Sequence, residues 1–468
     1  VNALGTLALL AWVPLVLAAF GSLPARRAVI AAYIVGWMFL PVASLPLPGP
    51  LDWNKLNATN LGVLLGILIF DARRLGQVRP GLIDVPIAIW CLCPFPTVIS
   101  NDLGTYDAFA QTLNQTVAWG IPYLVGRCYF STWSHARELA IGLVIGGLVY
   151  APLCLWEARM SPQLHAIVYG FHQHSFDQSV RGSTYRPTVF MHHGLMVAMW
   201  MAVSALIGAA LWMRGNVRAI GPIPIPVVAL ALLAASVICK SLGALILLAA
   251  GIGTLLLLGR AFGRLPLLVL IAAPLIYVTC RIEGWWTGDT VVELTRSVSE
   301  DRAASLRYRL DSERFLIARA WERPWLGWAG YGRNNTYYDE HDEYIDVIVD
   351  GLWILTFGQL GLIGLGSLTL ALLLPVLSFA RRVPPALWSQ KGTIAVGALA
   401  LIPPLFLVDS LFNAMMNPLY LLVAGGLSRL TLPKPAAERR AVLPQRVPRR
   451  TLAQQLRERC AERGGLEA

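Results

Sequence analysis

Apolar residues in this chain come in long runs, not at alternate positions. The segments 222–238, 242–258, 265–277 and 352–379 are nearly continuous and carry no charge. At 1.5 Å per residue, roughly 20 such residues cross a bilayer core as a helix. Backbone polar groups in lipid have to be paired within the segment, and the period-two alternation of a membrane barrel is missing. The expected fold is all-α, a polytopic transmembrane bundle of about 12–13 spans. The windows fall near 3–20, 28–46, 59–71, 81–98, 116–130, 138–156, 188–213, 219–238, 241–258, 265–280, 349–380, 392–409 and 411–430. Residues 1–20 lack a basic leader and run into a second apolar segment, so they are expected to be the first span.

The polar residues between the runs orient the bundle. Arg26/Arg27, Arg73/Arg74/Arg79, Arg127/Arg137, Arg214/Arg218, Arg260/Arg264 and Arg381/Arg382/Lys391 occupy every second connection. Short basic connections stay in the cytoplasm, which places the alternate loops outside. Residues 1–430 then form the bundle with its extracytoplasmic loops, chiefly 101–115, 157–187 and the large helical loop 281–349. Residues 431–468 form a basic cytoplasmic tail suited to anionic lipid. Composition agrees: 56% of residues are hydrophobic and only 14% charged, far below the roughly one-quarter charged of soluble proteins. The net charge of +11 is spread over topogenic clusters, one loop and the tail. That pattern fits a lipid bilayer and not nucleic acid. The seven cysteines are scattered and form no metal-type pair.

Candidate chemistry lies in the outside loops. Five of the seven histidines fall in one stretch, as His165, His172, His174, His192 and His193, with Arg181 and Arg186 among them. Their spacing matches no standard zinc pattern, so no metal is expected. The long loop carries Arg302, Arg307, Arg309, Arg314, Arg319, Arg323 and Arg333 beside Trp321, Trp325 and Trp328. Helical spacing puts Arg307, Asp311 and Arg314 on one face. A guanidinium fork suits a diphosphate, whereas the plain reading of such a run is a solvated, ion-paired helix.

The order of motifs from about 180 to 365 resembles the O-antigen ligase and O-antigen polymerase superfamily of bacterial membrane glycosyltransferases. The resemblance rests on Lys240-Ser241-Leu242-Gly243-Ala244 opening an apolar helix and on the arginine-rich helix. It continues through Pro324-Trp325-Leu326-Gly327-Trp328-Ala329-Gly330 and the Gly361-Leu362-Ile363-Gly364-Leu365 helix. It implies transfer of a glycan from a polyprenyl-diphosphate carrier to a glycan acceptor, outside the bacterial inner (cytoplasmic) membrane. No cofactor is implied, because cationic side chains make a divalent metal dispensable. Arg186, Lys240, Arg307, Arg314 and Arg319 would bind the diphosphate. His341 or Asp350 would take the acceptor proton, and Arg181, His192 and His193 are further site candidates. Asp350 stands where ligases commonly carry His, which shifts weight towards a polymerase. Chain-length or export partners are compatible with that reading. The rivals are a transporter or flippase of lipid-linked glycans and a non-catalytic envelope scaffold. Transporters place ionisable groups near the midplane, and these runs are almost free of charge.

Overall fold

The computed structural model describes residues 1–430 apart from 182–183, 216, 259–261, 298, 339–343 and 348–349. The basic tail therefore lies outside the described residues, as does His341. The chain is 72% helical with almost no strand, an all-α architecture. Its longer helices are α1 (Ala3–Ser22), α2 (Ala25–Phe39), α3 (Lys55–Phe70), α4 (Leu82–Ser100), α5 (Thr105–Gln115), α6 (Ile121–Tyr129), α7 (Trp133–Met160) and α8 (Gly194–Arg214). There follow α9 (Ile225–Ile238), α10 (Leu242–Leu257), α11 (Leu265–Ile282), α12 (Asp289–Arg296), α13 (Glu300–Trp321), α14 (Leu352–Arg382), α15 (Ile394–Asp409) and α16 (Pro418–Leu427). Strand is confined, among the described residues, to four short antiparallel hairpins.

Among the described residues six helices, α1, α4, α7, α8, α11 and α14, are long and apolar enough to cross a membrane. Each expected window holds a helix, but several boundaries move. The expected loop 101–115 is mostly α5, which runs through a π turn at Thr116–Gly120 into α6. The last window, 411–430, contains only the ten-residue α16. Window 188–213 becomes helical only at Gly194. Window 349–380 is helical from Leu352, but Gly361 interrupts it at φ 65° and ψ −165°.

Contacts between connections sort into two ends. At the basic end Glu138 pairs with Arg26 and Arg27, Arg127 with Asp84, and Arg382 donates to the carbonyls of Leu427 and Ser428. At the other, the loop end, Val42 N–H reaches His165, Arg323 reaches the Ser100 carbonyl, and Leu352 N–H reaches that of Ser410. The basic connections around Arg26, Arg127 and Arg382 thus contact further basic connections, and the loops contact other loops. The large loop is helical as expected, through α12 and α13, with a hairpin Thr336–Tyr338/Tyr344–Asp346. A buried ion pair, Arg281 Nε to Glu313 Oε2 at 2.9 Å, ties α13 to the end of α11.

Candidate active site

The loop end is organised by a few buried polar groups. Glu157, fully buried near the end of α7, accepts from Leu164 N–H at 3.0 Å, Thr188 N–H at 2.8 Å and Val189 N–H at 2.7 Å. The Tyr150 hydroxyl accepts from Phe190 N–H, and Lys55 Nζ donates to the Phe190 carbonyl at 3.0 Å. Gln173 donates to the carbonyls of Val189 and Met191. Backbone groups that a helix would use internally are thus spoken for, so residues 188–193 stay extended or turned although they are apolar. His192 and His193 are thereby loop residues.

This segment sets cations beside one another. Arg181 sits in a hairpin opposite Thr184, next to the Val180–Tyr185 pair, and Arg186 follows it directly. Arg186 is only 9% exposed, and its Nη2 donates to the Lys240 carbonyl at 3.0 Å. Its Nε is buried and has no hydrogen-bond partner among the described residues. Lys240 itself sits in the left-handed region at φ 50°, in the turn between α9 and α10, and its Nζ reaches the Arg181 carbonyl at 3.4 Å. Arg309, on α13, donates through Nε to Asp350 Oδ2 at 2.9 Å. Burial, and then the charges of Arg181 and Arg309, push the Arg186 guanidinium down to about 10. Arg181, Arg186 and Arg309 are thus close enough to act on one another, and Arg309 is the one paired with Asp350.

His193 closes the cluster as the N-cap of α8. Its Nδ1 accepts from Leu195 N–H at 3.0 Å, so the ring proton belongs on Nε2, 3.4 Å from Gln178 Oε1. Burial, followed by the charges of His174 and Arg186, pushes its pKa down to about 3. The His174 ring lies 4.5 Å from that of His193 and 5.9 Å from that of His192. Among the described residues no three His, Cys, Asp or Glu converge on a possible metal. His165 is structural: it accepts from Val42 N–H and donates to the Phe171 carbonyl.

The arginines of α13 do not form one clamp, because they leave the helix in three directions. Arg307 pairs with Asp289 at 2.8 Å and lines a cavity of about 400 Å³ with Asp311 and Arg314, on the one face that their spacing predicts. Arg309 faces Asp350. Arg319 stacks 3.5 Å from the centre of Trp328, bonds to Glu322, and shares that indole with Arg323 at 4.7 Å. Arg186, Lys240 and Arg181 are brought together with Arg309 and Asp350, whereas Arg307, Arg314 and Arg319 stand apart from them. Glu157 and Lys55 escaped the sequence reading. A lone charge inside or opening an apolar run is the signal that marks each of them.

The two glycine motifs meet. Residues 324–329 lie against the break in α14, where Trp328 N–H donates to the Gly358 carbonyl, Ala329 N–H to that of Gln359 and Leu362 N–H to that of Pro324. A Cβ on Gly327 would stand 2.5 Å from the Gln359 carbonyl carbon, and one on Gly361 2.3 Å from that of Trp325. The loop thereby supplies partners for backbone groups that the helix break releases. No family model matches the chain, and no curated protein matches it either.

Proposed function

We propose that the chain is a membrane glycosyltransferase of the O-antigen polymerase and ligase kind. It spans the bacterial cytoplasmic membrane about 12–13 times, with the loop end outside, and takes glycans from polyprenyl diphosphate. The polymerase reading is favoured, since the position where ligases carry His is Asp350 here. The observation that carries the reading is the cluster of positive charge around Arg186 at the loop end. Arg186 is held with an unpartnered Nε, beside Arg181, Lys240 and Arg309.

In the reaction the acceptor oxygen bonds to the donor's anomeric carbon with inversion. The bond from that carbon to the diphosphate oxygen breaks, and its electron pair leaves with the diphosphate. Negative charge grows on the leaving group in the transition state. Fixed guanidinium donors in a dry site act most strongly there. The acceptor proton passes to a carboxylate or imidazole, Asp350 or His341. His193 has its Nδ1 occupied and serves better as an Nε2–H donor than as a base. Apolar helices around the site suit the polyprenyl chain.

The test is chain synthesis in proteoliposomes holding the purified protein and a polyprenyl-diphosphate-linked oligosaccharide. Ladders of longer glycan are expected from the wild type and not from Arg186→Ala. Movement of the lipid-linked glycan across the bilayer without new glycosidic bonds would replace the enzyme with a transporter. Neither activity would leave a scaffold.

A further inference from the structure

A second cavity opens at the loop end, away from the cations. Its volume is about 310 Å³, and its wall includes Asn57, Gln111, Asn114, Trp119, Gly330 and Gln359. That size falls in the range of about 300–1,000 Å³ usual for small-molecule sites. Asp52 is its one ionisable lining residue, so nothing in it suits a diphosphate.

The amides divide into two kinds. Asn114 is fully engaged: its Nδ2 donates to the carbonyls of Pro50 and Ala110, and its Oδ1 accepts from Asp52 N–H and Asn57 Nδ2. It makes a rigid wall. The side-chain amides of Gln111 and Gln359 have no hydrogen-bond partner among the described residues, and both residues are half-buried. Each carries a donor and an acceptor on one plane, which is the complement of a sugar hydroxyl pair. Trp119, packed edge-on against Trp90 at 5.1 Å, adds an aromatic wall. Gly330 keeps the space open, since even a Cβ there would stand 3.6 Å from the Gln111 amide.

Position adds a second argument. Gly330 and Gln359 belong to the two segments that interlock at the break in α14. Gln359 lies on α14, seven residues or roughly 11 Å of helix beyond its first residue, Leu352, which Asp350 shortly precedes.

We infer that this amide-lined cavity binds an uncharged stretch of the glycan acceptor. The inference rests on the glycosyltransferase reading and adds the place where the acceptor is held. The test uses the purified full chain in lipid nanodiscs. The probe is a short oligosaccharide released by mild acid from the producing cell's surface polysaccharide and labelled at its reducing end. Saturable binding is expected for the wild type, weakened about tenfold or more by the Gln111→Ala/Gln359→Ala pair and by Gly330→Phe. Arg186→Ala should bind the probe normally while making no polymer. A wild type that polymerises but does not bind the probe overturns the subsite and leaves the enzyme standing. Equal binding by wild type and both cavity variants also overturns it. Binding by a wild type that never makes polymer supports the subsite and removes the transferase.

Discussion

Arg186 and Lys240 meet through the main chain and not through their charges, Arg186 Nη2 donating to the Lys240 carbonyl at 3.0 Å. The left-handed turn at Lys240, φ 50°, presents that carbonyl and leaves the ammonium free to point elsewhere. One hydrogen bond thus fixes the guanidinium plane, while the like charges that act on Arg186 are those of Arg181 and Arg309. Such a cluster is costly without an anion and favourable with one.

Arg186→Lys should therefore damage glycan synthesis almost as much as Arg186→Ala. A lysine keeps the charge but loses the planar fork and the hold on the Lys240 carbonyl. A charge-assisted contact strengthened in the transition state is worth on the order of 2–4 kcal/mol, or tens to about a thousandfold in rate. Synthesis per folded protein in proteoliposomes measures this, and full activity in the Lys variant would remove the fork from the mechanism.

Arg314 and Arg319 should separate. Arg314 is exposed and has no ion-pair partner among the described residues, so Arg314→Ala should leave synthesis within about twofold. Arg319 stacks on Trp328, whose indole N–H returns a bond to the Arg319 carbonyl at 2.8 Å. Arg319→Ala should lower stability by about 0.5–2 kcal/mol through that stack. Thermal unfolding in detergent, with synthesis scaled to folded protein, tells the two apart. Loss of activity in Arg314→Ala at unchanged stability would return that face of α13 to the diphosphate.

Acid should weaken the protein through His193. Its folded pKa is pushed down to about 3 by burial first, whereas an unfolded histidine titrates near 6.5. Below about 6.5 the unfolded chain takes up the proton first, so stability falls as pH drops towards 3, by up to roughly 1.4 kcal/mol per pH unit. His193→Asn keeps an N-cap acceptor for Leu195 N–H and removes the titration. Between pH 7 and 5 its stability should fall less than the wild type's by about 2 kcal/mol. Parallel curves would show that another group carries the acid sensitivity.

Gly361→Ala should cost far more than Gly366→Ala in the same helix. At φ 65° and ψ −165° only glycine is comfortable, and the added Cβ would meet the Trp325 carbonyl at 2.3 Å. Strain and overpacking each cost about 1–3 kcal/mol. At Gly366 nothing lies within 4 Å, and alanine there should be neutral or stabilising. Unfolding temperatures of the two variants decide, and equal values would mean that the interlock with residues 324–329 is dispensable.

Much of this architecture is determined locally and was legible in the sequence. Long charge-free runs have to be helical where backbone groups lack water, and the basic connections of Arg26, Arg27, Arg127 and Arg382 do contact their like. The helical character of 281–321 also follows from spacing, and Arg307, Asp311 and Arg314 do share a face. Only tertiary structure decided which polar residues become neighbours. Buried Glu157, Tyr150, Lys55 and Gln173 withhold backbone groups from a helix at 188–193, against the local apolar pattern. The same packing brings Arg309 near Arg186 and sends Arg319 to Trp328. Periodicity fixes the direction in which each side chain leaves α13, but not what waits there. The partner of a charge is chosen by segments far away in the chain, because the free energy of burying that charge depends on all of them at once.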